Sequence, residues 1–518
     1  MRAFPFRWLW RLLVAALLLA WAALALWQSQ KRLPPGVHIA GNWHSVPAGE
    51  LQFLRDLTAA DATGAPLNQH QINVELLRMI AQARDFLVLD TGLFGDLPAA
   101  GPGASRLRAA APVAATLADA LLQARQQQPA LQVLLLIDPA SAQLQVGSPT
   151  LERLREAGVA VVPVDVGRLR APNAVFVGFW QLCCRWWSPV AAAGAWPNPL
   201  GIGPSGVSMG LWGRTPGYQR SHRQLLIADD GGGGLAALIF SRPLNAEASL
   251  HTAVALHIAG EALEPLLESE FVMAQFSGWS GGGAIQERSQ RLIERQRRNI
   301  AAAAAATAAT AGAAAAAVDA ARARVVSEAP IAEALLERLD AAGSHDSIEI
   351  AALYLSQRDL VRALIDAAWR GATVRVLLDP GKDGYGYDRS GLPNRQVASE
   401  LVAASDGAVR VRWYRTHGEQ FSPGFVLIRS AARAWLMVGT AELSRRDLDD
   451  FNLAAAFIAE LPGAAPASSD ALSWFDAVWY NRAAGGTEYS SDVDVYADAS
   501  QLDYWQYRLL EVSGTAFD

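Results

Sequence analysis

The sequence contains one series of segments twice, and this repetition constrains the fold more than any other feature. In each series an amphipathic helix leads through a turn into an apolar strand that ends in Asp-Pro. The two copies of this unit are residues 117–139 (LADALLQARQQQPALQVLLLIDP) and 360–380 (LVRALIDAAWRGATVRVLLDP). A chain that repeats such a unit is expected to fold as two similar halves.

The segments around this unit repeat as well. A buried strand precedes it, a helix, a turn and a strand follow it, and two strands around a turn close each series. These further pairs are 83–94 with 347–356, 151–166 with 397–416, and 222–244 with 422–443. Continuous apolar strands between amphipathic helices are typical of α/β proteins whose sheets are covered by helices. We therefore predict two α/β halves, each a mixed sheet flanked by helices.

The first 32 residues differ from the rest of the chain. An apolar run covers residues 12–27, with Trp8, Trp10 and Trp27 at its ends, where interfacial aromatic residues usually lie. This pattern predicts a single N-terminal transmembrane helix. The alternative is a cleaved signal peptide, whose cleavage the bulky Trp27 and the polar residues after it disfavour.

The charges beside the apolar run predict its orientation. Three basic residues precede the run and two follow it: Arg2, Arg7, Arg11, Lys31 and Arg32. The excess of positive charge before the run favours a cytoplasmic N-terminus. We therefore expect the protein in the cell membrane, with its body outside the cytoplasm, in the periplasm.

Repeats and composition together predict four regions. They are an anchor over 1–32, a first half over 33–285 with a Trp-rich insert at 168–221, an Arg/Ala-rich linker over 286–330, and a second half with a C-terminal tail over 331–518. The alanines of the linker favour a long exposed helix or a partly disordered segment. The tryptophans of the insert predict either a cap over the sheet and cleft or a lid that enters the bilayer interface.

The overall charge limits the partners. A net charge of −6 over 518 residues gives no general basic field, so we expect no nucleic-acid partner. The expected partner is the lipid bilayer, with anionic phospholipids as candidate ligands; the sequence identifies no protein partner. The two cysteines, Cys183 and Cys184, are adjacent, which excludes a disulfide framework and favours small buried apolar side chains.

The order of segments and several stretches of the second half resemble the phospholipase D superfamily, including its cardiolipin-synthase-like members. The most specific stretches are 377–401, 416–421 and 439–457. The resemblance implies two halves related by a pseudo-twofold axis, each contributing one H-x-K-x-x-x-x-D motif to a single site. It also implies that one histidine attacks phosphorus, the other protonates the leaving alkoxide, the lysines hold phosphate oxygens, and no metal or other cofactor is required.

The first motif of this pattern keeps two of its three positions. His222 and Asp229 stand where the histidine and aspartate belong, whereas Gln224 replaces the lysine. The resemblance thus implies residual catalytic positions at His222 and Asp229. A neutral amide at Gln224 supplies no charge to a phosphate oxygen.

The second motif has lost all three positions. Alignment on the strand FVLIR places Ser422, Gly424 and Arg429 at the histidine, lysine and aspartate positions. Downstream, Glu442 stands where the family has an asparagine, so that a carboxylate would oppose phosphate binding. Ser241 and Thr440 occupy the small polar positions expected to contact substrate. His417 is the candidate for a substitute acid, because it lies five residues before Ser422.

These losses favour a catalytically degenerate protein that binds phospholipid headgroups or a partner through the cleft between the halves. One alternative is a weak or altered phosphodiesterase or phosphatidyltransferase that uses His222 as nucleophile. The other is a scaffold whose cleft binds nothing. Loss of a single charge-stabilising donor costs roughly 10²- to 10³-fold in rate, and several positions are missing together.

Overall fold

The computed structural model describes residues 6–60, 66–97, 101, 110–145, 148–186, 194–198, 203–204, 206–309, 321–482 and 487–514. Its strands are β1 His44–Val46, β2 Gln52–Ala60, β3 Pro66–His70, β4 Phe86–Thr91, β5 Phe94–Gly95, β6 Gln132–Ile137, β7 Ala160–Pro163, β8 Trp196–Pro197, β9 Gly206–Val207, β10 Gln224–Asp229, β11 Leu235–Phe240, β12 Leu244–Asn245, β13 Ala253–Ala259, β14 Ala321–Ser327, β15 Ser347–Ala352, β16 Thr373–Leu378, β17 Asp383–Gly384, β18 Tyr387–Asp388, β19 Val409–Tyr414, β20 Phe425–Arg429, β21 Arg433–Gly439, β22 Ala455–Pro462 and β23 Ser490–Asp492.

The α-helices connect and cover these strands. They are α1 Phe6–Ser29, α2 Gln71–Gln82, α3 Val113–Gln127, α4 Pro139–Leu144, α5 Pro149–Glu156, α6 Ala174–Cys183, α7 Met209–Trp212, α8 Glu264–Phe276, α9 Gly283–Ala309, α10 Ala329–Ala341, α11 Arg358–Trp369, α12 Asn394–Ala404, α13 Arg445–Leu448, α14 Pro466–Trp479 and α15 Gln501–Ser513.

Two mixed sheets have the same internal order. The first is β3-β2-β13-β11-β10-β4-β6-β7, and the second is β1-β14-β22-β21-β20-β15-β16-β19-β23. In both, three neighbouring strands are parallel (β4, β6 and β7; β15, β16 and β19) and the strands on the other side are antiparallel. The predicted α/β class and the sheets flanked by helices are confirmed.

Strand alternation divides the apolar side chains between a shared core and two outer cores. In β10, Leu225 and Ile227 join a central core with Phe425 and Leu427 of β20, while Leu226 faces the helices of its own half. The aromatic rings of Phe53 and Phe425 lie 5.9 Å apart in this central core. The two halves therefore pack sheet against sheet, which places the ends of equivalent strands near one another.

The region predicted as a linker is partly buried in the fold instead of being exposed along its whole length. Helix α9 covers much of it, but Ile285, Leu292 and Ile293 are buried in the central core, because their spacing places them on one helix face. Strand β14 lies within the range predicted as linker and pairs with β22. Residues 310–320 lie outside the described residues.

The N-terminal helix packs against the Trp-rich insert. Within α1, Trp8–Ser29 is long and apolar enough to cross a membrane. The indole Nε1 of Trp21 donates to the carbonyl of Val175 in α6 at 2.9 Å, and a Cβ at Gly178 would lie 2.8 Å from the backbone nitrogen of Ala25. A glycine at this position thus permits the close approach of α6 to α1.

The insert differs from expectation at its cysteines. Cys183 and Cys184 are joined by a disulfide and are half-buried at the end of α6, so the prediction of two small buried apolar side chains was wrong. Of the tryptophans, Trp196 and Trp212 pack together with their ring centres 4.8 Å apart, and Trp187 lies outside the described residues.

The contact between α1 and α6 predicts the effect of Gly178→Ala. Inside a helix, alanine is favoured over glycine by about 1 kcal/mol, whereas overpacking costs about 1–3 kcal/mol. We expect the clash with Ala25 to prevail and the melting temperature of the full chain in detergent micelles to fall. Gly343→Ala is the control, because nothing lies within 4 Å of a Cβ there. A melting temperature raised by Gly178→Ala would contradict the close packing.

Candidate functional site

The two motif segments enter the interface between the halves with matching backbone contacts. The N–H of His222 donates to the carbonyl of Leu453 at 2.8 Å, and the N–H of Ser422 donates to the carbonyl of Thr252 at 2.9 Å. Each motif position is therefore held by a backbone carbonyl of the opposite half. This reciprocal pair of bonds is what a pseudo-twofold axis produces.

Two buried aspartates, one in each half, hold the backbone just before the two motif positions in equivalent places. Oδ2 of Asp138 accepts from the N–H of Ser221, and Oδ2 of Asp379 accepts from the N–H of Phe421, both at 2.8 Å. Burial raises the pKa of Asp379 to about 7 and also raises that of Asp138, while the backbone hydrogen bonds oppose the shift. Since Ser221 and Phe421 directly precede His222 and Ser422, the latter two occupy equivalent positions.

A cavity of about 130 Å³ lies where the halves meet. Six residues singled out in the sequence line it, three from each half: His222, Gln224, Ser241, Ser422, Thr440 and Glu442. A water molecule occupies about 30 Å³ in the liquid, so the cavity has room for about four. It therefore has room for a group of the size of a phosphate.

The histidine of the first half is oriented across the interface. Its Nδ1 lies 2.9 Å from Oδ2 of Asp447, and the Asp447 side chain is fully buried. Asp447 also accepts from Asn452 Nδ2 at 2.7 Å and from the N–H of Glu442 at 2.8 Å. Burial favours protonation of Asp447, but the proximity of His222 and these hydrogen bonds lower its pKa. Asp447 therefore orients the imidazole of His222 at the cavity wall.

The lysine position of the first half holds an uncharged network. Oε1 of Gln224 accepts from the hydroxyl of Thr91 at 2.7 Å, and the Gln224 side chain is buried at the cavity wall. The amide is a dipole without net charge, so it cannot neutralise a phosphate oxygen as a lysine would.

The second motif is altered in its packing as well as its chemistry. The hydroxyl of Ser422 donates to the carbonyl of Ser241 at 2.9 Å, where the imidazole of an intact motif would stand. A Cβ at Gly424 would overlap the carbonyl oxygen of Gly439 and lie 2.9 Å from its carbonyl carbon. The approach of β21 therefore closes the position from which a second lysine would extend.

The small polar positions of the halves are again equivalent. The hydroxyl of Ser241 accepts from the N–H of Val254, and that of Thr440 accepts from the N–H of Ala455, at 3.0 and 3.1 Å. Each hydroxyl thus joins neighbouring strands and lines the cavity. Glu442, also at the wall, accepts from the N–H of Tyr354 at 3.3 Å.

Two arginines bring positive charge to the cavity. Nη1 of Arg389 donates to the hydroxyl of Tyr354 at 2.9 Å. The guanidinium of Arg220 has no hydrogen bond to the described part of the chain. His251 also lines the wall, and burial, followed by the charge of Arg242, lowers its pKa to about 3, so its imidazole is neutral at pH 7.

Three positions singled out in the sequence lie elsewhere. Asp229 accepts from the backbone N–H groups of residues 84–86 and 231, so its carboxylate organises a turn remote from the cavity. Arg429 ends β20 opposite Ser347. His417 is not among the residues that line the cavity; its side chain is 44% exposed and lies 3.5 Å from Glu419. The structure therefore does not bring His417 to His222.

Sequence reasoning missed Asp447, His251, Arg220 and Arg389. Asp447 and His251 follow the small polar positions of their halves by seven and ten residues, a spacing that could have drawn attention to them. Arg389 is carried by a loop of the second half, and only the packing of that loop on the first half brings it to the cavity.

A model of the family described as cardiolipin synthase, PLD-like domain, matches residues 335–479. The second half of the chain therefore contains a phospholipase D-like domain. The match covers most of the second half, in which all three motif positions are altered. The match thus rests on the rest of this half rather than on an intact motif.

Solved structures of the superfamily are similar over different parts of the chain. Phosphatidylserine synthase from Haemophilus influenzae Rd KW20 is 10% identical over 91% of this chain and 94% of its own, with a TM-score of 0.49. Nuc, a phospholipase D family member from Salmonella typhimurium, is 16% identical over 34% of this chain and 99% of its own, with a TM-score of 0.25. At these scores the likenesses carry no argument about activity. Among the curated proteins, no match is found.

The packing at the second lysine position predicts different outcomes for two substitutions. Gly424→Ala should destabilise the phospholipase D-like body by about 1–3 kcal/mol, because its Cβ meets the Gly439 backbone. Gln224→Lys should cost less, because that side chain faces the cavity. Thermal unfolding of the two variants beside Gly49→Ala, whose Cβ would meet nothing within 4 Å, measures the difference. Equal stability of Gly424→Ala and the unaltered protein would show that the position is open.

Proposed function

We propose that this phospholipase D-like protein is membrane-anchored, has lost catalytic turnover, and binds the phosphate of phospholipid headgroups in the cleft between its halves. The single observation that carries the proposal is the lining of the cavity between the halves. It includes Arg220, Arg389 and a His222 oriented by Asp447, whereas Ser422 stands at the position of the second histidine. Binding of a phosphate needs positively charged donors, and catalysis also needs a proton donor for the leaving group. The cavity has the charged donors but lacks the second motif histidine.

Positive charge supports binding of an anion. The guanidinium of Arg220 is free of hydrogen bonds to the described chain, and Arg389 keeps N–H groups beyond the one given to Tyr354. Guanidinium groups bind phosphate oxygens through charge-assisted hydrogen bonds. Glu442 opposes an anion by its charge, so the geometry favours a phosphodiester, with one negative charge, over a phosphate monoester.

The residues opposite His222 do not replace the missing acid. An alkoxide leaving group needs a proton donor within hydrogen-bond reach. His251 is neutral at pH 7 because burial holds its pKa near 3, and burial raises the pKa of the Tyr385 phenol, which makes it a weaker acid than usual. Ser422 is hydrogen-bonded to a carbonyl and has no ionisable proton in the relevant range. Attack by His222 on phosphorus would therefore lack the proton that the leaving alkoxide needs, and no phosphohistidine would form.

The N-terminal helix supports a membrane location. Helix α1 is apolar and exposed over most of its length, and Lys31 lies 4.9 Å over the ring of Trp27 at its end. Tryptophan and basic residues in this position are typical of the headgroup level of a bilayer. The excess of N-terminal arginines favours a periplasmic body. The small cleft and the anchor together favour phospholipid over a soluble phosphodiester.

One observation favours a residual phosphodiesterase. The 2.9 Å contact between Nδ1 of His222 and Asp447 is the arrangement that a histidine nucleophile needs, because a carboxylate then orients the imidazole. This second candidate predicts that a phosphohistidine forms at His222, whereas the leading proposal predicts binding alone.

Binding of dihexanoyl phosphatidylglycerol to the full chain in detergent micelles tests the proposal by calorimetry. We expect saturable binding that Arg220→Gln weakens at least about tenfold, because a hydrogen bond to a charged group contributes about 1.5–3 kcal/mol. Arg362→Gln, which alters an exposed ion pair of the second half, is the control and should bind normally. Absence of saturable binding would leave the scaffold as the interpretation, and equal binding by the Arg220 variant would exclude the cleft.

A further inference from the structure

A second and larger cavity lies behind the wall of the cleft. Its volume is about 530 Å³, four times that of the cleft. Helix α4 and the segment 217–222 separate the two, since Pro139, Gln143 and Tyr218 line the larger cavity whereas Asp138 and Ala140 line the cleft. Unlike the cleft, this cavity has room for a flexible chain.

Apolar side chains form most of one wall. Phe176, Val177 and Trp180 of α6 line the cavity opposite Val164 and Val166 of the body. The rings of Phe176 and Trp180 are stacked 6.1 Å apart. Because α6 also packs against residues 21–28 of α1, the cavity lies beside the end of the anchor helix that adjoins the body.

The other side of α6 is exposed and apolar. Val175 is 58% and Phe179 is 49% exposed, and Trp186, just beyond the helix, is 80% exposed. Soluble surfaces seldom present a helix of this kind without a cover. If α1 crosses a bilayer, α6 lies at the adjoining headgroup level, and one of its faces meets lipid while the other lines the cavity.

Two arginines give the cavity an anionic preference. Arg185 and Arg214 both line it, and neither has an ion pair with the described part of the chain. Burial lowers the pKa of Arg214, and the nearby charge of Arg185 lowers it further. The carboxylate on the lining, Asp165, lies 3.4 Å from Arg168. An anion between the two guanidinium groups would remove their repulsion.

Two polar groups in the same cavity lack partners. The hydroxyl of Tyr218 and Nε1 of Trp180 are buried without a hydrogen bond to the described residues. Buried donors of this kind are costly unless a ligand or water satisfies them. The donors that face the cavity are the guanidinium groups of Arg185 and Arg214, and phosphate oxygens accept from such groups.

We propose that the cavity beneath α6 binds one anionic phospholipid from the adjoining leaflet, with its phosphate between Arg185 and Arg214 and an acyl chain along Phe176, Val177 and Trp180. The proposal rests on the membrane location proposed above but not on binding in the cleft. Apolar walls and the position beside α1 select a lipid rather than free phosphate.

Photo-cross-linking of the full chain in phosphatidylcholine vesicles tests this site. The probe is phosphatidylglycerol with a diazirine on one acyl chain, present at a few per cent, and mass spectrometry locates the labelled residues. We expect labelling of the inward-facing Phe176, Val177 and Trp180. The double variant R185Q/R214Q should reduce it by at least about fivefold, the change expected for a single basic residue near an anionic surface. Val177→Trp, which fills the cavity and leaves both charges, should reduce it as well.

Three comparisons make the result decisive. Arg362→Gln and the cleft variant Arg220→Gln should label like the unaltered protein, so failure of the cleft proposal does not affect this one. Excess inorganic phosphate should not compete, and the corresponding phosphatidylcholine probe should label weakly. Labelling confined to the outward-facing Val175 and Phe179, or equal labelling by both probes, would overturn the proposal. Competition by phosphate would identify a site for the free ion instead.

Discussion

A single buried guanidinium holds the assembly together at the place where function is expected. Arg223, fully buried and adjacent to His222, bonds Glu270 of the first half and Glu328 of the second, each at 2.9 Å, and the carbonyl of Val37 after the anchor at 3.0 Å. Burying an unpaired charge costs several kcal/mol, so Arg223 can be buried only when all three segments are in place. Burial opposes ionisation, but the two carboxylates raise the pKa of Arg223 and keep it charged. The position of His222 relative to Asp447 depends on this packing.

The two halves differ in their motif residues, whereas their backbones make equivalent contacts. The contacts of Asp138 and Asp379, and those of Ser241 and Thr440, remain paired across the pseudo-twofold axis. The first half keeps an oriented histidine. In the second, Ser422 bonds a carbonyl and the backbone of Gly439 occupies the space beside Gly424, so a lysine cannot return by one substitution. The cleft therefore has Arg220, Arg389 and His222 on its walls, with a serine at the second histidine position.

Sequence periodicity predicted the architecture because apolar strands and amphipathic helices recur in the same order in both halves. It also predicted which of His222, Gln224, Ser422 and Glu442 would meet, since the motif spacing fixes them on equivalent strands. It could not predict that Asp447 of helix α13 contacts His222 across the interface, or that a loop of the second half brings Arg389 to the cavity wall. Nor could it predict the disulfide between Cys183 and Cys184. His417 shows the converse: its proximity to Ser422 along the chain suggested a role, but its side chain lies beside Glu419 and does not line the cavity.

Trapping a phosphoryl enzyme tests the central claim, binding without turnover, most directly. The full chain is incubated with a phospholipid in mixed micelles, denatured in alkali to preserve phosphohistidine, and analysed by mass spectrometry at the peptide that contains His222, with His222→Ala as the control. The account predicts an unmodified peptide and unchanged lipid under conditions where the lipid is bound. A phosphate-bearing adduct on His222 that forms and decays with release of product would contradict it and establish the chain as an active enzyme.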